Sequence, residues 1–188
     1  YRDMNTPTLV CRQQGEAWAQ PFVAVYEPFR GTNHFTVENI EIIDRSHPKD
    51  FTALKVVNKN RNQQIILQSL NTDKLQKNKG WSFNGSFGVI CIENNKLKYL
   101  YLGAGRQISW QQYTIETDIS GGAANVIFAD RNLIVSCNQE TTITITGSVA
   151  KSVTMEIYGQ KKHLSISKTK KGISFKIPAV MNAAIEID

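Results

Sequence analysis

The chain is poor in the residues that build most active sites. It has three histidines and three cysteines in 188 residues. His34, His47 and His163 show none of the spacings of a metal pair such as H-x-H or H-x-x-x-H, and a zinc or calcium site would need carboxylates or thiolates placed beside them. Cys11, Cys91 and Cys137 are odd in number, far apart and form no C-x-x-C, which argues against a zinc ribbon or a disulfide framework. Each lies in an apolar or β-branched context, so buried free thiols are expected. No apolar run approaches the roughly 18–20 residues needed to cross a bilayer as a helix. No charged-then-apolar leader follows Tyr1, so a processed chain or a piece of a longer one is expected, with any export signal upstream. Nor is there a fixed-period repeat or a convincing helical pattern.

What is present is strand. Ala17–Phe29 (AWAQPFVAVYEPF) holds a Trp, two Phe and a Tyr around the apolar run Phe22–Val25. Its aromatic and β-branched residues suit a core strand, and Pro21 and Pro28 mark its ends because proline cannot donate to a ladder. Phe51–Val57 and Gln64–Leu70 read as a hairpin across NKNRNQ, and Phe87–Glu93 with Leu97–Leu102 as a tighter one across Asn94-Asn95-Lys96. Asn71–Lys79 reads as a polar excursion and Gly103–Arg106 as a turn. After Ser120-Gly121-Gly122 come short strands at Asn125–Ala129, Leu133–Cys137, Thr141–Thr146, Ser152–Tyr158, His163–Ser167, Ile173–Ile177 and Ala183–Ile187. TTITIT alternates strictly, the signature of a half-buried strand. The expected fold is all-β, an antiparallel two-layer sandwich of many short strands over residues 1–120, with a small C-terminal β subdomain over 121–188.

The formal charge of +6 is uneven. From Lys151 onward lie seven lysines against Glu156, Glu186 and Asp188. Such a tail could favour an anionic partner such as an acidic polysaccharide, or simply solubilise strand edges. Nucleic-acid binding would need aromatics interleaved with the basic residues, and Lys161–Lys176 has only Phe175. Gly103-Ala104-Gly105 lacks the third glycine and the following helix of a dinucleotide loop. No serine elbow and no Cys–His pairing supports nucleophilic catalysis. Asn84-Gly85-Ser86 matches a glycosylation acceptor but reads more simply as a turn. Tyr26, Glu27, Arg30 and His34 form the one local group mixing acid, base, phenol and guanidinium, which general acid–base chemistry would require within hydrogen-bond reach. Trp18, Trp81 and Trp110 could stack on sugar rings or pack in the core. Trp81 after Lys79-Gly80, and Trp110 before Gln111-Gln112, are expected to be the exposed ones. The candidate carbohydrate contacts are therefore Trp81, Trp110, Arg30, His34, Lys161 and Lys162.

The order PTLVCRQQGEAWAQPFVAVYEPF (Pro7–Phe29), VENIEIID (Val37–Asp44), FTALKVVN (Phe51–Asn58) and QQIILQS (Gln63–Ser69), followed later by LYLGAG (Leu100–Gly105), resembles the C-terminal β-sheet region of heparinase II/III-like polysaccharide lyases of the Bacteroidetes type. The resemblance implies a periplasmic or extracellular parent in which an α/α toroid precedes antiparallel sheets and cleaves uronic-acid polysaccharides by β-elimination. None of that family's catalytic or metal motifs has a counterpart here, so the resemblance assigns no catalytic residue, cofactor or metal to this chain. It implies a non-catalytic support for the toroid that could contact acidic polysaccharide. A freestanding carbohydrate-binding module, a purely structural sandwich, and an autonomous lyase using His34 with Tyr26 or Arg30 are the alternatives.

Overall fold

A computed structural model describes Val25, Glu27 and residues 36–44, 50–118, 121–129, 132–169 and 171–188. The expected strands at Thr8–Arg12 and Trp18–Tyr26 fall almost wholly outside these residues, as do Cys11, Trp18, Tyr26, Arg30, His34 and His47. Of the Ala17–Phe29 stretch only Val25 and Glu27 are described, and Val25 is in no strand. Glu27 fixes the approach to the first described strand. Its carboxylate accepts hydrogen bonds from the Thr36 amide, the Thr36 hydroxyl (2.6 Å) and the Val37 amide (3.1 Å).

The described residues form strands and turns without a helix. In chain order the strands are β1 (Val37–Asp44), β2 (Phe51–Asn58), β3 (Gln63–Ser69), β4 (Gln76–Asn78), β5 (Trp81–Glu93), β6 (Lys96–Trp110), β7 (Tyr113–Thr117) and β8 (Gly122–Ala129). They continue as β9 (Asn132–Cys137), β10 (Thr141–Thr146), β11 (Val153–Ile157), β12 (Gln160–His163), β13 (Ile166–Thr169), β14 (Gly172–Ile177) and β15 (Val180–Ile187). Both expected hairpins form. In the second, Asn94 and Asn95 occupy the two-residue turn with φ of 51° and 61°. That left-handed pair matches the twist of the flanking strands, and asparagine tolerates it.

The longest strands, β5 and β6, organise the rest because each changes partner part-way. Phe87–Ile92 of β5 pairs with β3, whereas Trp81–Phe83 pairs with β4. Tyr99–Leu102 of β6 pairs with β8, and Gln107–Trp110 with β7. One arm therefore runs β1-β2-β3-β5-β6-β8-β9-β15-β11-β12, and the other joins β4, β5, β6, β7, β10, β14 and β13. All the pairings are antiparallel. Strands that serve two sheets do so through bends and bulges, and the register shifts at Asn84/Gly85, Gly85/Phe87 and Leu102/Gly105 mark the fork.

The fork corrects two expectations. Gly103–Arg106 is no turn but the interior of β6, and Asn84-Gly85-Ser86 lies within β5. A Cβ on Gly105 would stand 2.5 Å from both the Asn84 carbonyl oxygen and the Gly85 Cα. Glycine is used here for backbone approach rather than for a reversal of direction. Asn84 is only 8% exposed, so the acceptor motif is enclosed within the sheet.

Between the arms lies one apolar cluster. Phe51 of β2 meets Trp81 and Phe83 of β5, with ring centroids 5.9 and 6.4 Å apart. Gly88 leaves room for Phe83 and Ile108, whose side chains a Cβ there would strike at 2.8 and 3.0 Å. Ile143 and Ile145 of β10, Ile173 and Phe175 of β14, and Ile185 of β15 complete the far side. Each such side chain contributes about 1.5–3 kcal/mol on burial. Alternation explains the choice of face: Ile143, Ile145, Ile173, Phe175 and Ile177 point inward, while Thr142, Thr144, Ser174 and Lys176 do not. Pairing and core contacts continue across Gly121–Gly122, through β6–β8 and β7–β10. Two further boundaries differ from expectation: β4 forms inside the Asn71–Lys79 excursion, and His163–Ser167 is divided between β12 and β13.

Candidate functional site

An open cleft of about 950 Å³ lies at one end of the layered sheets. Hairpin tips build its rim. The β5–β6 turn supplies Glu93, Asn94, Asn95, Lys96 and Lys98, and the β6–β7 turn supplies Gln111 and Gln112. Thr146–Ser148, after β10, close a third side. The floor is the exposed end of the core, made by Leu97, Tyr113, Phe128, Leu133, Ile145 and Ile187. Tyr113 and Phe128 stack there with centroids 4.6 Å apart and planes tilted by 56°.

The turns hold this rim in fixed conformations. Gln111 has φ of 50°, its amide donates to the Gly80 carbonyl at 2.7 Å, and the Gln112 carbonyl accepts from Thr146 at 2.8 Å. The side-chain amides of Asn94, Asn95, Gln111 and Gln112 make no hydrogen bond with described residues, and Lys96 and Lys98 make no ion pair with them. The arrangement thus offers outward donors and acceptors, two cations against the single anion Glu93, and an apolar aromatic floor. That combination can bind a polar ligand but contains no acid–base pair or nucleophile with a partner.

Of the candidates taken from the sequence, none of the described ones lines this cleft. Trp81 is expected to be exposed, but it is 5% exposed and packs on Phe51. The reason is strand alternation: Trp81 and Phe83 face inward while Ser82 faces the Ser109 hydroxyl at 2.6 Å. Trp110, its register partner, is half-buried and lies over Gly80. Lys161 and Lys162 are exposed on β12. Lys161 sits between Glu156 (3.8 Å) and Glu186 (3.6 Å), so its charge is already offset. Arg30 and His34 lie outside the described residues. His163 shares a hydrogen bond with the Thr154 hydroxyl at 3.1 Å through Nδ1.

Cys91 and Cys137 are buried free thiols, as expected. Burial, reinforced by Glu93, pushes the Cys91 thiol up from its ordinary range, which makes it inert rather than nucleophilic. No three His, Cys, Asp or Glu side chains among the described residues converge as metal ligands. No helix among them is long and apolar enough to cross a membrane.

Residues 37–128, from β1 through nearly all of β8, match the family model of the endo-acting ulvan lyase C-terminal domain. The chain is 30% identical over 129 residues to an endo-acting ulvan lyase of Formosa agariphila, an alignment covering 67% of this chain and 16% of that protein. The likeness is therefore to the C-terminal β region of a polysaccharide lyase, and the chain spans about a sixth of that relative's length.

Proposed function

We propose that this chain is the non-catalytic C-terminal β region of a polysaccharide lyase of the endo-acting ulvan lyase kind, and that it contacts acidic polysaccharide on behalf of an upstream catalytic domain. The observation that carries this reading is the family match over residues 37–128, which spans both halves of the β5–β6 fork. The fork gives the region a layered core of its own, and the described side chains present donors, cations and an aromatic floor without a catalytic constellation. The resemblance to heparinase II/III-like lyases makes an α/α toroid the upstream partner, and a periplasmic or extracellular parent the setting. Of the surface candidates, Trp110, Lys161 and Lys162 are the described ones that solvent reaches. Boundaries at 1–120 and 121–188 would make the second part a small appended unit, held to the first through the β6–β8 and β7–β10 pairings.

The test is calorimetry of the 188-residue chain with ulvan, heparin, alginate, chondroitin and a neutral glycan at low and moderate salt. The proposal expects binding to acidic polymers that weakens as salt screens the charges, with no chain cleavage. Turnover by the chain alone would make it an autonomous lyase. Equal, salt-insensitive binding of the neutral glycan would make it a general carbohydrate-binding module.

A further inference from the structure

We propose that the cleft between the β5–β6 and β6–β7 turns is the polysaccharide subsite, and that it seats an acidic oligosaccharide. The assignment rests on the reading of the chain as the polysaccharide-contacting part of a lyase. Three features of the cleft point to this occupant. Its volume of about 950 Å³ lies within the range of pockets that hold small ligands, roughly 300–1,000 Å³. Its walls match the two faces of a sugar: the Tyr113–Phe128 pair offers an apolar surface to the C–H face of a ring, and the rim amides of Asn94, Asn95, Gln111 and Gln112 face the hydroxyls. Its charge favours an anion, because Lys96 and Lys98 oppose only Glu93 and neither is consumed by an ion pair with a described residue.

A fourth feature separates function from folding. Gln111 is held with φ of 50° in a two-residue turn where glycine would sit without strain. Gln111 shares this left-handed conformation with Arg61, Asn94, Asn95, Tyr158 and Asn182, and such a position points to a side chain worth testing for function. Here that side chain is a glutamine amide on the rim of the cleft with no partner among the described residues. The smaller recess beside Lys161 has the opposite character, since Glu156 and Glu186 outnumber the lysine there. It would repel the ligand that the larger cleft attracts.

The experiment compares variants of the whole chain for binding to ulvan fragments by calorimetry, with urea unfolding in parallel. Lys96→Glu with Lys98→Glu should weaken binding by roughly tenfold or more. Lys77→Glu with Arg106→Glu, an equal charge change at two exposed residues that do not line the cleft, should leave it within about twofold. Gln111→Gly should weaken binding while raising the unfolding midpoint, an opposition that a merely structural glutamine would not produce. Normal binding by both cleft variants would overturn the assignment. If the loss instead follows Lys161→Glu with Lys162→Glu, the ligand lies on the basic tail, and the cleft is wrong while the polysaccharide reading survives. No binding of any acidic polymer by the wild-type chain would defeat that reading itself.

Discussion

Trp81→Ala tests whether the first residue of β5 is a core residue or a sugar platform. The side chain is 5% exposed and packs against Phe51 at 5.9 Å, which is itself buried. Truncating a buried aromatic costs about 3–5 kcal/mol from lost transfer energy plus the cavity left behind. The lower end applies here, because Trp81 opens its strand directly after the Gly80 turn and its neighbours can partly collapse into the space. A loss of about 3 kcal/mol corresponds to a midpoint drop of roughly 6–12 °C in a chain of this size. Urea unfolding followed by circular dichroism should show the lower midpoint with an unchanged slope, since the native fold is retained. Trp110→Ala, at a half-buried position, should cost about 1–2 kcal/mol. Polysaccharide binding by Trp81→Ala below its transition should match wild type. A Trp81→Ala protein that is as stable as wild type but has lost binding would refute the packing argument.

Two further outcomes follow from the fork and from the Glu27 cap. Gly105→Ala should destabilise by about 2–3 kcal/mol, because backbone atoms rather than a yielding side chain meet the new Cβ; Gly121→Ala, which meets nothing within 4 Å, should be within about 1 kcal/mol of wild type. Equal effects at the two positions would remove the close-approach explanation of the fork. The Glu27 carboxyl titrates below the ordinary glutamate range, held there by the Thr36 hydroxyl, then by the Thr36 and Val37 amides, with Lys59 assisting and desolvation opposing. A pKa lowered in the folded state stabilises above the unfolded value and ceases to do so as pH falls through the folded one. Wild type should therefore exceed Glu27→Gln in stability near neutral pH, and the gap should close as acidification passes below the lowered folded-state pKa. A gap that stays constant over that range would show that the carboxylate charge contributes nothing.

Much of the architecture was legible because local chemistry determined it. Asn94-Asn95 between alternating strands specifies a tight hairpin, and TTITIT specifies one buried face wherever the segment packs. The fork was not legible, because glycines in a strand interior and glycines in a turn look alike until the opposing backbone is placed. Gly103–Arg106 carries the local signature of a turn for that reason, yet Gly105 faces Gly85 across a bulge. The preceding Lys79-Gly80 suggests an exposed Trp81, whereas the W-S-F alternation that follows carries the better signal. The cleft could not be found from spacing at all. Its rim gathers Asn94, Gln111 and Gly147 from turns far apart in the chain; the β6–β7 and β7–β10 pairings join the last two, while the Asn94 turn, at the opposite end of β6, meets them only across the cleft. The local hints are the two rim turns without glycine, Asn94-Asn95 and Gln111-Gln112.

The central claim, a non-catalytic β region that holds acidic polysaccharide, is tested most directly by one titration. The intact chain is mixed with ulvan at low and moderate salt, while binding heat and the appearance of new unsaturated chain ends are followed together. The account predicts saturable binding that weakens with salt, and no new ends. Cleavage by this chain alone, or no binding at either salt concentration, would contradict it.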